Sequence, residues 1–309
     1  MISTYELTPI DTLFFRGSTP MEAGLQKAAS MFPPPVSVIK GAFWTAYCNE
    51  KGIKFTAELI NGEIPIEVVS FFIKRGDKFY TKAPATWYYD SDDKVKHGEQ
   101  LVGKNLCIAA DHKTDFEKLG MVSSASDVVF VVPTKDAKPL TEAWVDLNFL
   151  QNPKATFKSD TVLFNGEIFS SETRTGVGLD SNKHAVRGEL YTATHIRLKD
   201  DVSIVVSLQT EKTLAEGGKM LLGGEKRLVR FEKTDNQFLA NEKSEQYVSL
   251  IPIQATDKTL RKKIVACGKL FTVAGWDLQK GFHKPTVSWI PQGAVFNDYL
   301  SGCIQLKNI

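Results

Sequence analysis

Apolar and polar positions alternate with a period of two along much of the chain, and a helical period surfaces in only a few places. The clearest alternation runs over GELYTATHIRLKDDVSIVVSLQ (188–209). There Leu190, Thr192, Thr194, Ile196 and Leu198 share one face, Lys199-Asp200-Asp201 turns the chain, and Val202, Ile204, Val206 and Leu208 resume the pattern, as strands with one buried face do. IEVVSFFIK (66–74) and KFYTKA (78–83), separated by Arg75-Gly76-Asp77, read as a hairpin. TVLFNGEIFSSE (161–172) reads as a second hairpin, turning at Asn165-Gly166. Further strands are expected at YELTPIDTLFF (5–15), interrupted by Pro9, and at DVVFVVPT (127–134), YVSLIPIQA (247–255) and GAVFNDYL (293–300).

The helical period appears after Pro33-Pro34-Pro35, where Val36, Ile39, Phe43 and Tyr47 recur at intervals of three and four. That stripe predicts a helix lying on a sheet, with proline at its first position, Gly52 as its stop and Lys40 one step off the apolar face. A short helix is expected within DKTLRKKIVACGKL (257–270). Strands therefore predominate, with one main helix per half. This pattern predicts an α+β chain with antiparallel sheets and inserted β-hairpins rather than an alternating βαβ fold. Two ferredoxin-like domains, 1–150 and 151–309, fit the length of 309 residues.

Composition narrows the function classes. Lysine plus arginine total 38 against 36 acids, a net charge of +2, so any nucleic-acid partner must be met by a local concentration of cations. The first residues lack a basic stretch followed by an apolar one, and no run is long enough to cross a bilayer. Cys48, Cys107, Cys267 and Cys303 form no CxxC pair, which predicts reduced thiols, a cytoplasmic protein and no metal or other cofactor. RTGVGLD lacks the strand and helix of a dinucleotide fingerprint, and LLGGEKR lacks P-loop spacing. The acids Asp90, Asp92 and Asp93 lack the glycine and terminal glutamate of a calcium loop.

The local charge lies in three glycine loops of the second half. Residues 171–190 place Arg174, Lys183, His184 and Arg187 among Gly176, Gly178 and Gly188. Residues 216–232 place Lys219, Lys226, Arg227 and Arg230 around two glycine pairs. Residues 274–296 set Lys280, His283 and Lys284 among glycines and the aromatics Trp276, Phe282 and Trp289. Between Lys258 and Lys284 seven lysines or arginines face one acid, Asp277. Glycines let backbone amides approach an anion, cations attract phosphates, and aromatics stack on unpaired bases. Each loop taken singly is an ordinary turn; three basic ones in one half exceed what turns require.

With these loops in view, the chain resembles the third-subunit family of type III-B (Cmr) CRISPR effector complexes, in the repeat-associated (RAMP) superfamily. The segments that carry the likeness are PIDTLFFRGSTPMEAG (9–24), FPPPVSVIKGAFWTAY (32–47), RTGVGLDSNKHAVRGELYTATHIRL (174–198), LLGGEKRLVRF (221–231) and AGWDLQKGFHKPTVSWIPQGAVF (274–296). They follow in order from end to end, and residues 50–160 match little. The resemblance implies ferredoxin-like, RRM-type domains and a non-catalytic subunit. That subunit holds the 5′ tag of the CRISPR guide RNA and pairs with the large polymerase-like subunit and an adjacent backbone subunit. On this reading Arg16, Lys40, Arg174, Lys183, Arg187, Lys226, Arg227, Lys280, His283 and Lys284 line the RNA groove. Two alternatives stand beside it. One is a metal-independent RAMP endoribonuclease with His184, or second His283, as general base, although neither histidine has an evident acid partner in the sequence. The other is an assembly protein whose exposed tips, such as Val177 and Leu179, contact protein.

Overall fold

The computed structural model describes the chain except for residues 18–26, 57–61, 91–94, 112–117, 119–129, 132–135, 239–242, 256–258, 274–275, 278–281, 284 and 308–309. It gives backbone alone at 27–28, 110–111, 130–131, 187–189, 276–277 and 282–283. Strands dominate, helices are few, and nearly all pairing is antiparallel, so the fold is α+β. The residues gather into two compact units. One takes Met1–Val69, Phe169–Gln237 and Thr272–Ser288, the other Ser70–Ile168, Phe238–Phe271 and Trp289–Ile309. The boundary expected near residue 150 thus falls inside a segment of the second unit, and the units are interleaved rather than sequential.

In the first unit β1 (Ile2–Pro9) runs antiparallel between strand Val202–Gln209 and strand Leu228–Thr234, whose other side carries the edge strand Gly217–Leu221. Alternation decides which face is buried: Tyr5 and Leu7 of β1 and Phe231 of its neighbour point inward. Helix α1 (Val36–Glu50) covers this face through Val36, Ile39, Ala42 and Phe43. The rings of Tyr5 and Phe43 are 5.0 Å apart, those of Phe43 and Phe231 5.6 Å, and those of Tyr5 and Phe231 6.1 Å. Pro35 occupies the cap position before the helix rather than its first turn, and its carbonyl accepts from Val38 N at 2.9 Å. At the other end Gly52, with φ +64°, closes the helix where expected, its N–H donating to Asn49 O at 3.2 Å.

A second sheet of this unit is the long hairpin of Phe169–Leu179 and Ala185–Leu198, with β2 (Lys27–Ala29) joined parallel at Thr192–Thr194. The alternation read at 188–209 is therefore two strands. They do not pair with each other, because Ala185–Leu198 pairs with Phe169–Leu179 while Val202–Gln209 pairs with β1.

In the second unit the expected hairpin forms from β3 (Glu67–Arg75), within which the chain enters the unit, and β4 (Lys78–Lys82). The strands Ala143–Asp146 and Val162–Phe164 extend the sheet outward from β4. Gln292, buried, pins this unit: its Nε2 donates to Phe71 O and Leu250 O, both at 2.8 Å, and to Thr81 Oγ1 at 3.0 Å. The hairpin expected at 161–172 does not form. Asn165–Ile168 is a helical turn, because its side chains are engaged elsewhere. Glu167 Oε2 accepts from Gly98 N at 2.7 Å and Phe164 N at 2.9 Å, while Asn165 Oδ1 accepts from Trp144 Nε1 at 2.9 Å. Tertiary partners thus override the local Asn-Gly turn preference. Of the other expectations, 257–270 holds only the helix Leu260–Lys263 before strand Ile264–Ala266, and 293–300 holds the short strand Val295–Phe296. At 127–134 the strand Phe130–Val131 lies among the described residues and the rest of the stretch lies outside them.

The aromatic trio makes α1 the element most sensitive to truncation. Phe43→Ala is expected to lower unfolding stability by about 3–5 kcal/mol, read as a reduced midpoint in urea denaturation with little change in slope.

Candidate nucleic-acid interface

Three pieces of chain meet after β1. Pro9 ends the strand, and the following segment is stitched to the long hairpin by Leu13 N to Ile196 O at 2.7 Å and Ile196 N to Leu13 O at 2.9 Å. The glycine loop 222–227 docks on the same segment: Gly224 N donates to Phe14 O at 2.8 Å. Gly223 sits at φ +85°, and a Cβ there would lie 2.4 Å from Phe14 O, so glycine is required by both conformation and space. Glu225 and Lys226 also take positive φ, 52° and 53°. The docked loop, not the residue type, dictates that conformation.

This junction brings cations from three elements onto one carboxylate. Asp11 Oδ2 accepts from Arg174 Nη2 at 3.2 Å and from Arg227 Nη1 at 3.1 Å, while Oδ1 accepts from Arg197 Nη2 at 2.9 Å. Each arginine has a second acidic partner. Glu172 pairs with the guanidinium of Arg197 and lies 3.5 Å from Arg174, and Glu225 Oε2 accepts from Arg227 Nη2 at 2.9 Å. Burial raises the Asp11 pKa, but hydrogen bonds from Arg174, Arg197 and the Thr12 amide outweigh it and bring it down to about 2. Glu172 is likewise lowered, chiefly by Arg197. The site is open: the side chains of Asp11, Arg174 and Arg197 are 46%, 37% and 44% exposed.

Behind the arginines lies His195, fully buried and stacked on Phe14 with ring centroids 5.1 Å apart. Thr12 Oγ1 is 3.2 Å from its Nδ1. The Glu225 carboxylate lies 3.1 Å from Nε2, close enough for attraction but out of line for a hydrogen bond. Burial lowers the His195 pKa, with Glu225 opposing and Arg227 and Arg174 reinforcing the shift, so the ring is neutral at neutral pH.

Of the residues expected in an RNA groove, Arg174 and Arg227 come together here, with Lys226 exposed in the same loop. Lys183 sits at the tip of the long hairpin with φ +63°, where Asp180 Oδ1 accepts from the amides of Asn182 and His184. His184 is 79% exposed and its Nδ1 is 3.7 Å from Asp180, so it has an acid partner after all, four residues back along the chain. Arg16 is exposed beside its strand bridge to Ser30, and Lys40 is held by Glu67 at 2.7 Å on α1. Arg187 and His283 are described by backbone alone, in the long hairpin and in strand Phe282–His283, while Lys280 and Lys284 lie outside the described residues. Asp11, Arg197, Glu172 and Glu225 were not anticipated. Arg197 was visible as the basic residue of HIRL on the polar side of the alternation, whereas Asp11 had no local signal. Among the described residues no group of three acids, histidines or cysteines could hold a metal, and no helix is long and apolar enough to cross a membrane.

Residues 5–258 match the family model of the CRISPR-associated protein Cas_Cmr3. The chain belongs to the Cas_Cmr3 family. Within known proteins it is 24% identical over 139 residues to the CRISPR system CMR subunit Cmr3 of Saccharolobus solfataricus, a stretch covering 42% of this chain and 44% of that relative. The chain thus matches less than half the length of that curated relative. Its fold is similar to a chain in the cryo-EM structure of the Type III-B Cmr-beta bound to cognate target RNA. That likeness has TM-score 0.59 and 18% identity, over 95% of this chain and 86% of the other. The same assembly with AMPPnP holds a chain of TM-score 0.56 and 17% identity, over 95% and 85%.

Two measurements check the site. Gly223→Ala combines backbone strain with a clash against Phe14 O and is expected to destabilise the protein by about 1–3 kcal/mol in chemical denaturation. The Asp11 carboxylate has a folded pKa of about 2 against an ordinary value of 3.8, so its contribution is present above the ordinary value and lost as pH falls toward 2. The melting temperature of Asp11→Asn should therefore lie below wild type near neutral pH, with the gap closing between roughly pH 4 and pH 2.

Proposed function

We propose that the chain is the third, non-catalytic subunit of a type III-B (Cmr) CRISPR effector complex. In this reading it holds the repeat-derived 5′ tag of the guide RNA and docks the large polymerase-like subunit and an adjacent backbone subunit in the cytoplasm. The observation that carries it is the convergence of Arg174, Arg197 and Arg227, from two strands and a glycine loop, at one solvent-open point. Arginine forks match phosphate geometry, and a cluster of them supplies the local charge that a net of +2 conceals. Family membership and a fold shared with a chain of a target-RNA-bound Cmr-beta support the same assignment. Arg16, Lys40, Lys183, Arg187, Lys226, Lys280, His283 and Lys284 extend the groove in this reading. Lys40, paired with Glu67 at 2.7 Å, keeps further ammonium N–H groups with which to meet a phosphate.

Two features favour binding over cleavage. His195, the histidine nearest the arginines, is fully buried and neutral, so it has no access to a ribose hydroxyl. His184 stands exposed at the hairpin tip with Asp180 beside it and none of the three clustered arginines among its partners. We read the organisation as two domains on a ferredoxin-like plan. The antiparallel order Val202–Gln209, β1, Leu228–Thr234 under α1 supports that plan in the first unit.

The test is binding of tag-containing RNA by the assembled complex over a salt series. Arg174→Ala and Arg227→Ala should each weaken binding and reduce the slope of log K against log salt by about one. Unchanged affinity and slope in both would remove these residues from the RNA site.

A further inference from the structure

Asp11 occupies the point where the three guanidiniums converge. Three guanidiniums each donate one N–H to its two oxygens over 2.9–3.2 Å, and guanidinium N–H groups bond phosphate oxygens as readily as carboxylate oxygens. We infer that the Asp11 carboxylate is a built-in stand-in for an RNA backbone phosphate: the phosphate displaces it, and Asp11 thereby sets the affinity of the arginine socket. This inference rests on the proposed RNA-binding role and adds a residue and a direction of effect to it.

Three observations support exchange rather than a permanent scaffold. First, each arginine has an acidic partner besides Asp11. Glu172 holds Arg197 and neighbours Arg174, and Glu225 holds Arg227, so the socket keeps its shape when Asp11 swings away. Second, the exchange leaves the charge that faces the arginines unchanged. Arg174, Arg197 and Arg227 balance Asp11, Glu172 and Glu225, and a phosphodiester carries the same single charge as the carboxylate that it replaces. The arginines thus keep an anionic partner throughout, and the displaced Asp11 side chain, 46% exposed, passes to solvent rather than to a dry interior where an unpaired charge is costly. Third, Asp11 is nearly half exposed on the bend between Pro9 and the Leu13 bridge, so a side-chain rotation opens the site without moving the backbone bonds of the junction.

Competition has a measurable signature. A socket that must release its own carboxylate binds RNA more weakly, and gains less from counterion release, than three free arginines do. The experiment measures binding of a 5′-tag RNA oligonucleotide by the assembled complex over a salt series, with wild type, Asp11→Asn, Arg174→Ala/Arg227→Ala and the triple variant. Asp298→Asn controls for charge, since Asp298 pairs with Lys263 in the other unit and its loss changes the net charge equally. Asp11→Asn is expected to bind about five- to tenfold tighter with a salt slope steeper by about one. Asp298→Asn should change little, and the gain should vanish in the triple variant.

Equal or weaker binding by a folded Asp11→Asn protein overturns the inference, as does an equal gain from Asp298→Asn. If Arg174→Ala/Arg227→Ala still weakens binding in that case, the proposed RNA role stands and only the stand-in idea fails. If the arginine variant also binds unchanged, both fail together. Should Asp11→Asn not fold, Asp11→Ser carries the same comparison.

Discussion

The docking of residues 11–15 against two other pieces of chain is the constraint on which the rest depends. Reciprocal backbone bonds between Leu13 and Ile196 fasten this segment to the long hairpin, and Gly224 N to Phe14 O fastens the glycine loop to it. Arg174 and Arg197 come from the hairpin, Arg227 from the loop and Asp11 from the segment itself. Remove either attachment and the three guanidiniums have no common point. The glycines of LLGGEKR therefore act one step earlier than an anion-cradling loop would: they let the loop backbone approach Phe14, and that approach positions the arginine.

The electrostatics follow from that placement. Six charged side chains are packed around a solvent-open point with their signs balanced, and buried His195 stays neutral behind them. Exposed ion pairs add little stability individually. What the cluster provides is geometry: three guanidiniums from separate elements, each already held by an acidic side chain, turned toward one exposed carboxylate.

Much of the fold was legible because it rests on local pattern. Periodicity located β1, α1, the β3–β4 hairpin and the two strands of 188–209, and proline and glycine marked the ends of α1. What local pattern could not show was which strands pair. Residues 185–198 and 202–209 are consecutive and alternate in phase, yet they belong to different sheets. Asn165-Gly166 carried a hairpin signal that contacts with Trp144 and Gly98 overrode. For the site, the basic glycine loops pointed to Arg174 and Arg227 because cations near glycines are visible in sequence. Asp11 was invisible because its role exists only when residues more than 160 positions away fold onto it. Partner acids are set by tertiary geometry, which is why Glu172, Glu225 and the Asp180–His184 pair also emerged only from the structure.

The central claim, that the junction of segment 11–15, the long hairpin and the glycine loop grips guide RNA, is tested most directly by photocrosslinking. The purified complex would be assembled on RNA carrying 4-thiouridine in the 5′ tag, irradiated, digested and read by mass spectrometry. The account predicts crosslinked peptides from 171–198 and 222–230 of this chain. Crosslinks confined to peptides of the second unit, with none from those two stretches, would contradict it.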